Sequence, residues 1–181
     1  IWIVLSAFFA SASIAHRPSA RFHCDNGTIQ FQSDATLEVI RAESHKLQGA
    51  IDPATNAFAW SVDVISFEGF NSPLQREHFN ENYMESTRYP RATFTGKIIE
   101  KVDFQVNGTY EIRAKGKLII HGVEQERIIK STVQVKGKKL IIRSSFTVPL
   151  SDHDINIPKI VHQKIAEEVK LTLEAEMEFE H

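Results

Sequence analysis

Apolar and polar residues alternate along most of this chain with a period of two. The clearest run is near the C-terminal end, where Val169, Leu171, Leu173, Ala175, Met177 and Phe179 are separated by Lys170, Thr172, Glu174, Glu176 and Glu178. Successive strand side chains point to opposite faces, so this run predicts a strand with one buried and one wet face. A helix would scatter the glutamates around its circumference. The same alternation appears in Tyr110, Ile112, Ala114, Gly116, Leu118 and Ile120, in Ile129, Val133 and Val135, and in Leu140, Ile142, Phe146 and Val148. Shorter candidates cover residues 29–31, 37–42, 47–51, 58–67, 92–99 and 102–106, giving about eight to ten strands.

Turn chemistry separates these runs. Asn107-Gly108 fits a type I′ turn, which needs positive φ at both central residues. Lys136-Gly137-Lys138, His121-Gly122 and the stretch from Asp52 to Asn56 mark further reversals. Asn26-Gly27-Thr28 and Asn107-Gly108-Thr109 match the glycosylation pattern, but Asn-Gly turns explain both more simply. Two stretches break the β pattern. Ser72-Pro73 resembles an N-cap with proline at the first helical position, followed by a helical run over residues 74–86 with Phe79 and Tyr83 four apart. Ile157-Pro158 opens a second short helical stretch in which Val161 and Ile165 share a face. Long hairpin strands with one apolar face require a cover. A sandwich or a closed barrel supplies one, and closure also removes exposed edges.

Composition narrows the class. The chain has 181 residues, a length that suits one domain, with 21 Lys plus Arg against 23 Asp plus Glu. Bases and acids are interleaved, so no basic stripe points to nucleic acid. Residues 1–20 read as a truncated signal peptide, because an apolar run from Ile1 to Phe9 leads into Ala10-Ser11-Ala12 and Ser13-Ile14-Ala15. The alternative is an apolar first strand. No stretch is long enough for a membrane-spanning helix, which needs about 20 apolar residues. The single Cys24 cannot form an internal disulfide and reads as a strand-edge thiol; Arg21-Phe22-His23 lacks the small residues of a lipidation site.

Four ordered stretches then carry a resemblance. The run from Glu77 to Met84, followed by Arg88-Tyr89-Pro90-Arg91-Ala92-Thr93-Phe94, is similar to the central signature of the YceI-like family. Residues 58–67 closing in Ser66-Phe67, the run from Gly116 to Val123, and Phe146-Thr147-Val148 leading to the run from Asp152 to Pro158 agree in order. The resemblance implies an all-β fold, an extended antiparallel β-barrel of about eight strands, lipocalin-like, with one or two short helices over residues 21–181. It also implies a periplasmic or secreted protein that holds a polyisoprenoid or isoprenoid quinone in its lumen, without catalysis and without a cofactor. A homodimer is compatible with the family. The sequence departs from some members at Asp152-His153-Asp154, where a glycine often follows an aromatic or small residue.

The inward-facing candidates for the lipid site are Phe31, Trp60, Val62, Val64, Phe94, Phe146, Val148, Met177 and Phe179; each reads equally as plain barrel core. Rim candidates are Arg76, His78 and His121, which either orient a head group or serve as surface charge and turn ligands. The eight histidines (His16, His23, His45, His78, His121, His153, His162 and His181) show no HExxH spacing and have no CxxC partner, so no metal site is signalled. Ser151, Asp152, His153 and Asp154 are triad residue types, but in an extended run neighbours point to opposite faces. The competing functions are a haem- or metal-handling redox accessory and a stress-related surface protein with no lumen ligand.

Overall fold

A computed structural model describes residues 20–180. The expected leader, apart from its last residue, lies outside the described residues, as do His16 and His181. Eight strands form a closed antiparallel barrel in sequential order. They are β1 (Arg21–Asp34), β2 (Val39–Asp52), β3 (Ala57–Asp63), β4 (Arg91–Ile98), β5 (Gly108–Ile120), β6 (Val123–Lys136), β7 (Lys139–Pro149) and β8 (Glu168–Glu180). An up-and-down order places alternate connections at opposite ends. The links β2–β3, β4–β5 and β6–β7 therefore share one end, the base. The links β1–β2, β3–β4, β5–β6 and β7–β8 share the other, the mouth.

The expected runs at 37–42 and 47–51 are one strand. Between Ser44 and Leu47 the register against β1 shifts, so Ile40, Ala42 and Ser44 face inward and, after the shift, Leu47, Gly49 and Ile51 do too. A matching bulge between Cys24 and Gly27 flips the parity of β1. Asn26-Gly27 is thus part of a bulge and not a turn. Cys24 is buried within this closed sheet, so it is not an edge thiol. Asn107-Gly108 is not a type I′ turn either. Gly108 opens β5, and Asn107 Oδ1 instead accepts from Gly137 N at 2.7 Å. The type I′ geometry occurs at His121-Gly122, with φ of 52° and 73°. Residues 102–106 are a loop, not a strand. Val102 and Phe104 turn inward from it and join Phe22, Leu140 and Met177 in a packed plug that seals the base.

The mouth is built differently. The β6–β7 ladder runs only from Lys136↔Lys139 to Ser131↔Ser144, although β6 continues beside β5 to Val123 and β7 beside β8 to Pro149. The β2–β3 ladder likewise stops at Gln48↔Ser61, while β1–β2 continues to Asp34↔Val39. Below these points the wall is a continuous barrel. Above them it parts into two half-shells, β7-β8-β1-β2 and β3-β4-β5-β6.

Connections plug both seams. In the β2–β3 seam, Glu43 and Glu68 exchange two backbone hydrogen bonds of 2.8 Å, and the buried Ser44 hydroxyl meets Ser66 Oγ at 2.6 Å. In the β6–β7 seam lies a 3₁₀ turn, Leu150–His153. His153 Nδ1 donates to the Val123 carbonyl, Gln125 Nε2 donates to the Asp152 carbonyl, and Arg127 Nη2 reaches Asp152 Oδ2 at 2.7 Å. The run from Ser151 to Asp154 is therefore not extended. Asp152 and His153 Nδ1 are nevertheless committed to the seam, to Gln125, Arg127 and the Val123 carbonyl.

Candidate functional site

The parted half-shells enclose a cavity of about 520 Å³, open toward the mouth and bounded below by Ile51, Phe58, Ile98, Ile112, Val133 and Ile142. Its lining on β5 runs from Ile112 to Ile120. Eight residues at about 3.3 Å rise, tilted about 40° from the axis, give a depth of about 20 Å. The walls are overwhelmingly apolar. Ser131 and Ser144, the last ladder pair below the β6–β7 seam, are two of the few polar positions at mid-depth.

The expected helix begins as read, with Ser72 Oγ accepting from Gln75 N and Pro73 at the first position. It is shorter than expected. The α-helix α1 (Pro73–His78) gives way to a π-helical turn (Phe79–Tyr83), in which Met84 N bonds the Phe79 carbonyl at 2.9 Å. The wider turn places Phe79, Tyr83 and Met84 against the cavity. Phe79 stacks on Phe31 at 5.3 Å and packs against Phe67 and Phe70, forming an aromatic cap over one side of the mouth. Burial raises the Tyr83 phenol above its ordinary range, so it stays a neutral donor. The second expected helix is a 3₁₀ turn, Lys159–Val161, and Val161 and Ile165 both face the cavity, as does Lys164.

Trp60 owes its position to Gly49, its cross-strand partner. A Cβ at Gly49 would fall 2.1 Å from Trp60 Cζ3, so the indole lies directly over the glycine backbone. Gly96, the cross-strand partner of Phe58, is tight for another reason: a Cβ there would fall 2.1 Å from the Lys115 carbonyl oxygen on β5.

The profile of the YceI-like domain matches residues 15–177. The chain belongs to the YceI-like family. Solved structures agree on the fold. A polyisoprenoid-binding domain from Saccharophagus degradans, implicated in plant cell wall breakdown, superimposes with a TM-score of 0.74 at 15% identity, covering 90% of this chain and 99% of that one. BcnA from Burkholderia cenocepacia gives 0.69 at 17% identity, with 83% and 95% covered. The YceI protein of Campylobacter jejuni gives 0.56 at 16% identity, with 98% and 94% covered. No curated protein matches the sequence.

In this YceI-like barrel, Phe31, Trp60, Val62, Val64, Phe94, Phe146 and Val148 line the cavity. Met177 and Phe179 face the interior but lie below its floor. Met177 is completely buried in the basal plug and Phe179 packs on Phe22 at 5.0 Å, so neither lines the cavity. Of the rim candidates, His78 borders the cavity. Arg76 turns away, donating to the Ile65 carbonyl at 3.1 Å. His121 also lies off the lining, bridging Glu85 Oε2 at 2.8 Å and the His153 carbonyl at 3.1 Å. Leu118, on the inward stripe of β5, and Leu171 and Leu173, on the stripe that carries Met177 and Phe179, line the cavity too. Phe70 sits in a connection without periodicity, and no sequence signal marked it.

His153 is fully buried. Burial holds its pKa below the ordinary value, with Arg127 adding to the shift and the Val123 and Ile120 backbone and Asp152 opposing it. A depressed imidazole pKa means that the unfolded chain takes up the proton first. Stability is therefore lost as pH falls below about 6.5, by at most about 1.4 kcal/mol per pH unit. His153→Asn keeps a donor for Val123 without the titration. The melting-temperature advantage of the natural protein over this variant is expected to shrink between pH 7.5 and pH 5. An advantage that does not change over that interval would contradict it.

Proposed function

We propose that this YceI-like protein is a non-catalytic carrier or sequestering protein, periplasmic or secreted, whose barrel holds a polyisoprenoid or isoprenoid quinone. The observation that carries this reading is the shape of the cavity, an apolar bore about 20 Å deep, closed at one end and open at the other. Its volume of about 520 Å³ falls within the range of about 300–1,000 Å³ typical of small-molecule sites. A deep bore suits a linear chain better than a compact ring system. Polar groups gather at the open end, where His78, Gln75, Tyr83 and Lys164 border the cavity, so a head group would lie there with the tail toward Ile112 and Val133. The Saccharophagus relative, described as polyisoprenoid-binding, supports the same ligand class. Burial of apolar surface would drive binding, at about 0.3 kcal/mol per heavy atom for a large ligand.

The test is an organic extract of natively purified protein, analysed by mass spectrometry. A prenyl lipid near one equivalent per chain is expected. An extract without prenyl lipid, from protein that also fails to take up a polyprenol from detergent, would overturn the reading.

A further inference from the structure

Large aliphatic side chains crowd the surface at one end of the barrel. Ile160 is 91% exposed, Leu37 65%, Ile65 58% and Leu74 56%. They come from three different connections, yet hydrogen bonds join these into one rim. Leu37 N donates to the Gln163 carbonyl, Asn71 Nδ2 donates to the Val39 carbonyl, Gln75 Nε2 reaches Glu38, and Arg76 Nη2 donates to the Ile65 carbonyl. The rim lies at the end at which the cavity opens among the described residues, the base being plugged. Apolar residues exposed singly need no explanation, but a ring of them around an apolar opening does.

The charge beside its most exposed residue, Ile160, indicates what covers it. Residues 155–166 contain Lys159, His162 and Lys164 and no acid. Lys159 precedes Ile160 and Lys164, exposed at the edge of the opening, follows it, so the loop presents one aliphatic tip beside cationic side chains. That is the arrangement of an interfacial segment, in which aliphatic groups enter the acyl boundary and lysines stay at the phosphates. Acids stand on the other connections of the rim: Glu38 is held by Asn71 and Gln75, Glu85 is paired with His121 and Arg88, and Glu77 and Glu81 lie on the β3–β4 connection, not on the one that carries Ile160.

We infer that the open end of the barrel docks on an anionic lipid bilayer, with Leu37, Ile65 and Ile160 entering the interface and Lys159 meeting lipid phosphates. This rests on the cavity being a lipid site, because docking in this orientation lets a tail pass between bilayer and bore without crossing water.

Sedimentation of the full chain with large vesicles tests it. One set contains phosphatidylethanolamine with phosphatidylglycerol, and the other phosphatidylcholine alone. The protein is expected to partition onto both, more strongly onto the anionic set. Leu37→Ser, Ile65→Ser and Ile160→Ser together should weaken partition about tenfold or more on both sets. Lys159→Gln should weaken it about fivefold on the anionic vesicles only. None of these four residues lines the cavity, so uptake of a polyprenol from detergent should be unchanged in each variant. The inference is overturned if the natural protein takes up polyprenol but ignores both vesicle sets. It is equally overturned if the triple variant sediments as well as the natural protein, or if the rim is buried in a stable dimer that does not bind vesicles. Partition that persists and is lost in the triple variant, in a protein that takes up no polyprenol, supports the docking surface and removes the cavity reading alone.

Discussion

Ser131→Trp is expected to weaken lipid binding about a hundredfold while leaving the barrel folded. Ser131 faces the bore just above Val133, opposite Ser144, where the half-shells begin to part. Its side chain meets open space, so an indole there fills a void without forcing packed neighbours apart, and stability should stay within about 1 kcal/mol of the parent. The ligand has no such freedom. An indole displaces about ten ligand atoms, and at about 0.3 kcal/mol each the loss is about 3 kcal/mol, roughly a hundredfold in affinity. Competition with a fluorescent prenyl analogue, alongside a thermal melt, reads both quantities. Unaltered affinity in a normally melting variant would place the lipid outside the barrel.

The second large effect is expected at Gly116, for the opposite reason. Gly116 and Gly96 are a cross-strand pair on the inward face of β5 and β4. A Cβ at Gly116 would lie 2.2 Å from the Thr95 carbonyl oxygen and 2.8 Å from its carbon. Both obstructing atoms are backbone, so no rotamer change relieves the clash, and β4 must separate from β5. Gly116→Val should cost on the order of 4 kcal/mol or more, a large share of the 5–15 kcal/mol typical of a domain. Urea unfolding gives the number directly. A loss below about 1 kcal/mol would mean that the two strands can move apart cheaply.

Much of this fold is legible in the chain because alternation reports which face a side chain takes. The stripe from Val169 to Phe179 does face inward along its whole length. Alternation says nothing about depth, however. Val169, Leu171 and Leu173 line the bore while Met177 and Phe179 are plug, a division set by where Val102 and Phe104 fold in from a distant loop. The irregular register of β1 and β2 hides in the same way. A bulge reverses parity, so one strand reads as two short runs. Asn107-Gly108 has the composition of a hairpin turn, but Asn107 is used instead to hold Gly137, and the turn geometry passes to His121-Gly122. At the mouth, Ser72, Phe79 and Tyr83 could be placed from capping and spacing. The π-helical widening and the tie between Arg76 and Ile65 depend on contacts between separate connections, which periodicity does not record.

The two seams have one more consequence. No strand-to-strand ladder joins the upper half-shells across either seam; they are clasped by Glu43 with Glu68 and Ser44 with Ser66 on one side, and by His153, Gln125 and Arg127 on the other. The calibre of the container is thus set at a few fastenings near its lip. Widening it to admit a thicker guest would strain those fastenings and leave the strand ladders within each half untouched.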